Sequence, residues 1–186
     1  YHGLLFIAQS KGDTQTVRSQ GPEVIARIDA IEKTHPQLVD GYVRFMYGVC
    51  LHMALGDHEA AGAQYQQSCD QGEPRGCNNL GKFMEDVRAD FTRATELYVQ
   101  SCNQGYGRGC LNAAVIQEKL GGPMDRIDEL YMKSCDLQHA SGCFHAARRA
   151  QDTGFMDSAR QLYATACGLG HRDSCRMKSE IGQNQE

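Results

Sequence analysis

Cysteine is the residue whose type and spacing could do chemistry in this chain. Eight of the nine cysteines fall into four pairs, Cys69/Cys77, Cys102/Cys110, Cys135/Cys143 and Cys167/Cys175, each with seven residues between its members and recurring at intervals of 33, 33 and 32 residues. Such pairs could oxidise to disulfides or hold a metal as thiolates. Zinc sites favour closer Cys/Cys or His/His pairs, roughly two to five residues apart, so the wider gap favours disulfides and leaves metal as the rival. His139, His145 and His171 lie near the pairs; His139 and His171 share a register, four residues after the first cysteine, but the first two units carry Glu73 and Tyr106 there, and His145 has no histidine counterpart. They read as surface or supporting histidines, and no metal or cofactor is expected. Cys50, the odd cysteine, sits in an apolar run and reads as a buried structural thiol.

Two cysteines eight positions apart on one continuous helix would be separated by roughly 12 Å of rise, beyond the ~7 Å Cα limit for a disulfide. The chain must reverse between them. Each intervening segment supplies turn residues: Gly72 with Pro74, Gly105 with Gly107, the run from Gln138 to Gly142, and Gly168 with Gly170. A helix, a tight turn and a returning helix follow, with one staple per hairpin.

Upstream of each first cysteine runs a stripe at four-residue spacing: Ala61/Tyr65/Cys69, Ala94/Tyr98/Cys102, Ile127/Tyr131/Cys135 and Ala159/Tyr163/Cys167. Residues so spaced share one helix face, and the constant place of tyrosine in the stripe assigns it to packing rather than to an aromatic ligand box. After the second cysteine come small residues that permit close helix approach, as in Leu80-Gly81, Ala113-Ala114 and Ala146-Ala147. The fourth unit instead continues as Arg176-Met177-Lys178-Ser179, the polar character expected of a terminal cap.

The period, the small-x-x-x-Tyr-x-x-x-Cys stripe and the stretch from Gly76 to Gly81 resemble Sel1-like repeats, relatives of tetratricopeptide repeats, and in particular their cysteine-rich branch. The resemblance covers residues 58 to 179. It implies an all-α fold, an α/α superhelical solenoid of disulfide-stapled hairpins with a concave face lined by the first helices. The expected organisation is a divergent helical cap or degenerate repeat over residues 1–57, followed by four bridged repeats and a polar cap over 58–186. In the first part, Pro22 looks like the first turn of one helix and Pro36 the start of a second, while Leu4 to Ala8 is an apolar run too short to span a membrane.

A net charge of −4 without any basic run argues against nucleic acid as a partner. Neither Ser-x-x-Lys nor Gly-x-Ser-x-Gly nor His-Glu-x-x-His nor a phosphate loop occurs, so no catalytic residue is nominated. Paired cysteines point to an oxidising compartment, periplasmic or secreted, with the mitochondrial intermembrane space as the alternative. The start at Tyr1 fits a chain from which an export signal has been removed.

On the expected concave face, the positions two and six residues before each first cysteine carry Gln67, Glu96 with Gln100, Glu129 with Lys133, and Gln161. A core enforces sameness whereas a recognition surface varies from repeat to repeat, which nominates these residues for partner binding. The resulting expectation is a non-enzymatic, monomeric scaffold that binds a protein or peptide. The resemblance extends it to an immunity protein against a secreted toxin such as a phospholipase effector. The same resemblance offers two other readings: a penicillin- or cell-wall-fragment-binding protein with weak β-lactamase-like activity, and a respiratory-complex assembly factor.

Overall fold

The computed structural model describes residues 14–183, and all their regular secondary structure is helical. The Leu4 to Ala8 run lies outside the described residues. In chain order the helices are α1 (Thr14–Thr34), α2 (Gly41–Cys50), α3 (His58–Asp70), α4 (Pro74–Asp86), α5 (Phe91–Asn103), α6 (Gly107–Lys119), α7 (Met124–Asp136), α8 (Ala140–Asp152), α9 (Met156–Gly168) and α10 (Arg172–Gln183). A short 3₁₀ turn, Pro36–Leu38, precedes α2, and one π-helical turn, Leu51–Leu55, prolongs it.

From α3 to α9 every helix has 13 residues. Identical lengths repeat identical environments. The first cysteine of each pair always falls one residue before the end of its helix, and the second always falls on the fourth residue of the next. Starts are fixed locally: the carboxylates of Asp40, Asp57 and Asp90 accept from the backbone N–H groups of Val43, Ala60 and Arg93 at 2.9, 3.0 and 2.9 Å. At the hairpin tips the backbone enters the left-handed region, at Gly72 (φ 83°), Gly105 (φ 87°) and Gly170 (φ 92°), where glycine has no Cβ to clash. In the third hairpin Gln138 holds the same place at φ 57°.

The described residues form two compact units that divide between Leu97 and Tyr98, inside α5. The core of the first gathers Val17, Val24 and Ile28 of α1, Val43, Met46 and Cys50 of α2, and Tyr65, Cys69, Cys77 and Leu80 of the stapled hairpin. In the second, Tyr131 and Tyr163 are 1% and 0% exposed, which confirms the tyrosine stripe as core. Ala113, Ala114 and Ala147 are fully buried there, as close helix approach requires.

Two boundary expectations need correction. Pro22 lies inside α1 rather than in its first turn, because the helix begins at Thr14. Its lost hydrogen bond is offset by packing on both sides of it: Val17 and Val24 are buried, and Gly21 approaches Ala54 so closely that a Cβ would collide. Pro36 opens the 3₁₀ turn, and α2 starts only after Asp40 supplies a cap.

Candidate functional site

All four cysteine pairs form disulfides, with Cα–Cα distances of 4.5, 4.5, 4.4 and 4.8 Å in chain order. Within each tip, the residue before the first cysteine accepts a backbone hydrogen bond across the turn, as when the Glu73 N–H donates to the Ser68 carbonyl and the His139 N–H to the Ser134 carbonyl. The staple therefore closes a turn that the backbone already forms.

The serine hydroxyls in this register reach further. Ser68 Oγ donates to the Gly41 carbonyl at 2.6 Å, and Ser134 Oγ donates to the Gly107 carbonyl at 2.7 Å, both fully buried and both bonding the first residue of the preceding hairpin's second helix. A matching glycine precedes the second cysteine in the first three stapled hairpins: a Cβ on Gly76, Gly109 or Gly142 would strike Ser68, Ser101 or Ser134. In the fourth hairpin the two sizes exchange, with Ala166 before the first cysteine and a buried Ser174 before the second. Sequence reasoning missed this pairing, although the four Ser/Gly, Ser/Gly, Ser/Gly, Ala/Ser combinations were visible as a signal.

Cys50 is the free thiol among the described residues, has no exposed surface, and is pushed up to about 11 by burial. A thiol so placed is a poor nucleophile at neutral pH.

In the second unit, α7, α8 and α9 frame a groove of about 530 Å³. Asp128 and Met132 of α7 form one wall; Ser158, Gln161, Leu162 and Thr165 of α9 form the other; Ala146, Arg149 and Ala150 of α8 make the floor. Phe155, on the connection between α8 and α9, stands over it 67% exposed, and Met132 is 41% exposed. Arg149 donates to both carboxylate oxygens of Asp128, at 2.6 and 3.3 Å, and that hydrogen bonding raises the guanidinium pKa further. The groove thus carries a fixed charge pair, Arg149 on its floor and Asp128 on its wall, beside the apolar side chains of Met132, Leu162 and Phe155.

Of the nominated stripe, Gln161 lines this groove, together with Thr165 of the same register. Gln67, Glu96, Gln100, Glu129 and Lys133 lie elsewhere. Gln67 and Gln100 are exposed, Glu96 and Glu129 pair with Arg93 and Arg126 at 2.8 and 2.6 Å, and Lys133 Nζ donates to Asn103 Oδ1 at 2.9 Å. Met132, Phe155 and Arg149 were not nominated, because their convergence depends on three helices and on the turn before α9.

Behind α7, Tyr131 donates to Glu118 Oε2 at 2.8 Å and stacks on His145 with ring centroids 4.9 Å apart. Burial, then the Glu118 hydrogen bond, raises the phenol pKa; burial, then Arg148, lowers that of His145. No group of three or more His, Cys, Asp or Glu side chains suited to a metal ion occurs among the described residues.

Consecutive antiparallel helix pairs of constant length, without strands among the described residues, define the fold of Sel1-like and tetratricopeptide repeat proteins. Among solved structures, the chain superposes with a TM-score of 0.70 on c5321, a protective antigen present in uropathogenic Escherichia coli strains displaying an SLR fold, at 16% identity over 96% of this chain and 43% of that one. It matches a Sel1 repeat protein from Oxalobacter formigenes at a TM-score of 0.70 and 12% identity, covering 95% of this chain and 71% of that one. YrrB, a TPR protein with an unusual peptide-binding site, gives a TM-score of 0.55 at 16% identity over 86% of this chain and 84% of that one. The chain spans less than half the length of c5321, and at these identities the likeness is one of fold. No protein-family model and no curated protein sequence matches it.

Proposed function

We propose that the protein is a non-enzymatic interaction scaffold that takes an extended segment of a partner protein into the α7/α8/α9 groove. The observation that carries this reading is the exposure of Phe155 and Met132 above the Arg149–Asp128 pair: large apolar side chains beside a fixed polar pair offer both anchoring area and orientation. YrrB, which shares the fold, is described by its peptide-binding site, and this supports a peptide as occupant.

Four disulfides suit an oxidising compartment, periplasmic or extracellular, and no described helix is long and apolar enough to cross a membrane. Stapled hairpins lose little ordering entropy on binding, which favours a tight inhibitor such as an immunity protein within the scaffold class.

Selection from a random peptide library on the oxidised protein tests the proposal. Selected peptides should bind with about tenfold lower affinity to Phe155→Ser and to Gln161→Ala, and unchanged to Glu59→Gln, which lies in the other unit. Peptides indifferent to both groove substitutions would overturn the assignment of the groove.

A further inference from the structure

A second cavity, of about 270 Å³, lies in the first unit between the end of α2 with its π-helical turn, α3 and α4. Its character follows from how this hairpin departs from its sisters. The tyrosine that forms the eighth residue of α7 donates its hydroxyl to Glu118, and its counterpart in α9, Tyr163, donates to Gln151 at 2.9 Å. Glu118 and Gln151 are both the twelfth residue of the preceding second helix. In the first unit that register is His52, the twelfth residue counted from Gly41, and among the described residues no acceptor is placed on the Tyr65 hydroxyl. Burial pushes the Tyr65 phenol up to about 12, so it stays protonated, and Asn79 lies beside it in the cavity wall.

The start of α3 departs in the same direction. Where α5, α7 and α9 begin with Phe91, Met124 and Met156, α3 begins with His58, whose ring meets that of His52 edge to face at 4.7 Å. Lys82 adds an ammonium group at the cavity and neutralises Asp86 beside it at 2.8 Å. Burial, then His58, lowers the pKa of His52, so its ring is neutral at pH 7 and can present one N–H. Tyr65, His52 and the Asp86-paired Lys82 thus meet where the hairpins of α7 and α9 hold their own acceptor, and Met53 and Phe83 supply apolar wall.

We propose that this cavity binds a small carboxylate carried on an apolar body, whose oxygen accepts from Tyr65 as Glu118 accepts from Tyr131. The volume falls below the ~300–1,000 Å³ of drug-sized pockets and suits a single ring or branched group. The site is separate from the groove in the second unit and stands whether or not that groove takes a peptide.

Phenylacetate and N-acetyl-L-phenylalanine, titrated into the oxidised full chain while the His52 and His58 ring protons are followed by NMR, test the site. Saturable shifts confined to these two histidines, with His145 unmoved, are expected. N-acetyl-L-phenylalaninamide should bind about tenfold more weakly. Tyr65→Phe should weaken binding about fivefold, and Lys82→Gln, a substitution at an exposed position, should do the same without risk to folding. Tighter binding of the acetylated amino acid would identify a polypeptide C-terminus as the source of the carboxylate; tighter binding of phenylacetate would identify a free acid. No saturable shift by about 10 mM, or equal binding of the amide, overturns the proposal.

Discussion

Arg44, in the register that every later hairpin gives to its second cysteine, forms an ion pair at 2.6 Å with Glu32, one residue short of the first cysteine's register. Arg44 is the fourth residue of α2, as Cys77, Cys110, Cys143 and Cys175 are of their helices, and Glu32 lies two residues from the end of α1. The guanidinium is 7% exposed by residue and also donates to Gln64 at 3.0 Å. The unstapled hairpin is thus closed by charge, and its closure is insensitive to reductant. Arg44→Ala should lower the stability of the first unit by about 2–3 kcal/mol, because Glu32 and Gln64 lose a charged partner, whereas Arg44→Met with Glu32→Leu should recover most of that loss. Urea denaturation of both variants checks it; an Arg44→Ala midpoint equal to wild type would show the pair to be idle.

The four staples should not open together. Cys77, Cys110 and Cys143 have no exposed surface, while Cys175 is exposed and Cys167 half-buried. Exchange requires a thiolate to reach sulfur, so limiting dithiothreitol followed by alkylation should label Cys167 and Cys175 first. Peptide mass mapping reads the order, and Cys77 labelled ahead of Cys175 would contradict it.

Gln138 holds a left-handed conformation that its three counterparts give to glycine. Gln138→Gly should raise stability by about 0.5–1 kcal/mol, the relief of Cβ strain exceeding the entropy that glycine adds to the unfolded chain. The reverse change at Gly105 should be destabilising. Thermal melts of Gln138→Gly and Gly105→Gln at one pH settle both signs.

Acid should weaken the second unit through His145. Burial lowers its folded pKa, with Arg148 adding to the effect, so between that value and the unfolded ~6.5 the unfolded chain binds more protons. The stability contribution is complete above the unfolded pKa and declines as pH falls below it. Denaturation midpoints at about pH 7.5 and about pH 5.5 should differ less in His145→Gln than in wild type. An unchanged difference would remove His145 from the account, leaving His139, which burial shifts in the same direction.

What the sequence revealed and what it hid divide along a physical line. The staples, the tyrosine stripe and the hairpin turns were legible because each is a relation within one 33-residue unit, repeated often enough to stand out. Arg44 was hidden because an arginine occupies the register of a second cysteine and a longer connection shifts the count. Ser68 and Ser134 were hidden because their hydroxyls act on the preceding hairpin. The groove was hidden for a related reason: Gln161 was found as a polar stripe position, but Phe155 lies outside the helical pattern and gains meaning only when α7 and α9 flank α8.

Each disulfide closes between cysteines eight residues apart, and none joins one hairpin to another. This governs how the molecule matures. Eight cysteines allow roughly a hundred complete pairings, yet the native partner is always the nearest cysteine along the chain and is brought alongside by the turn itself. A polypeptide delivered N-terminus first can seal every crosslink before the next thiols arrive, so oxidative maturation needs an oxidant but little disulfide isomerisation.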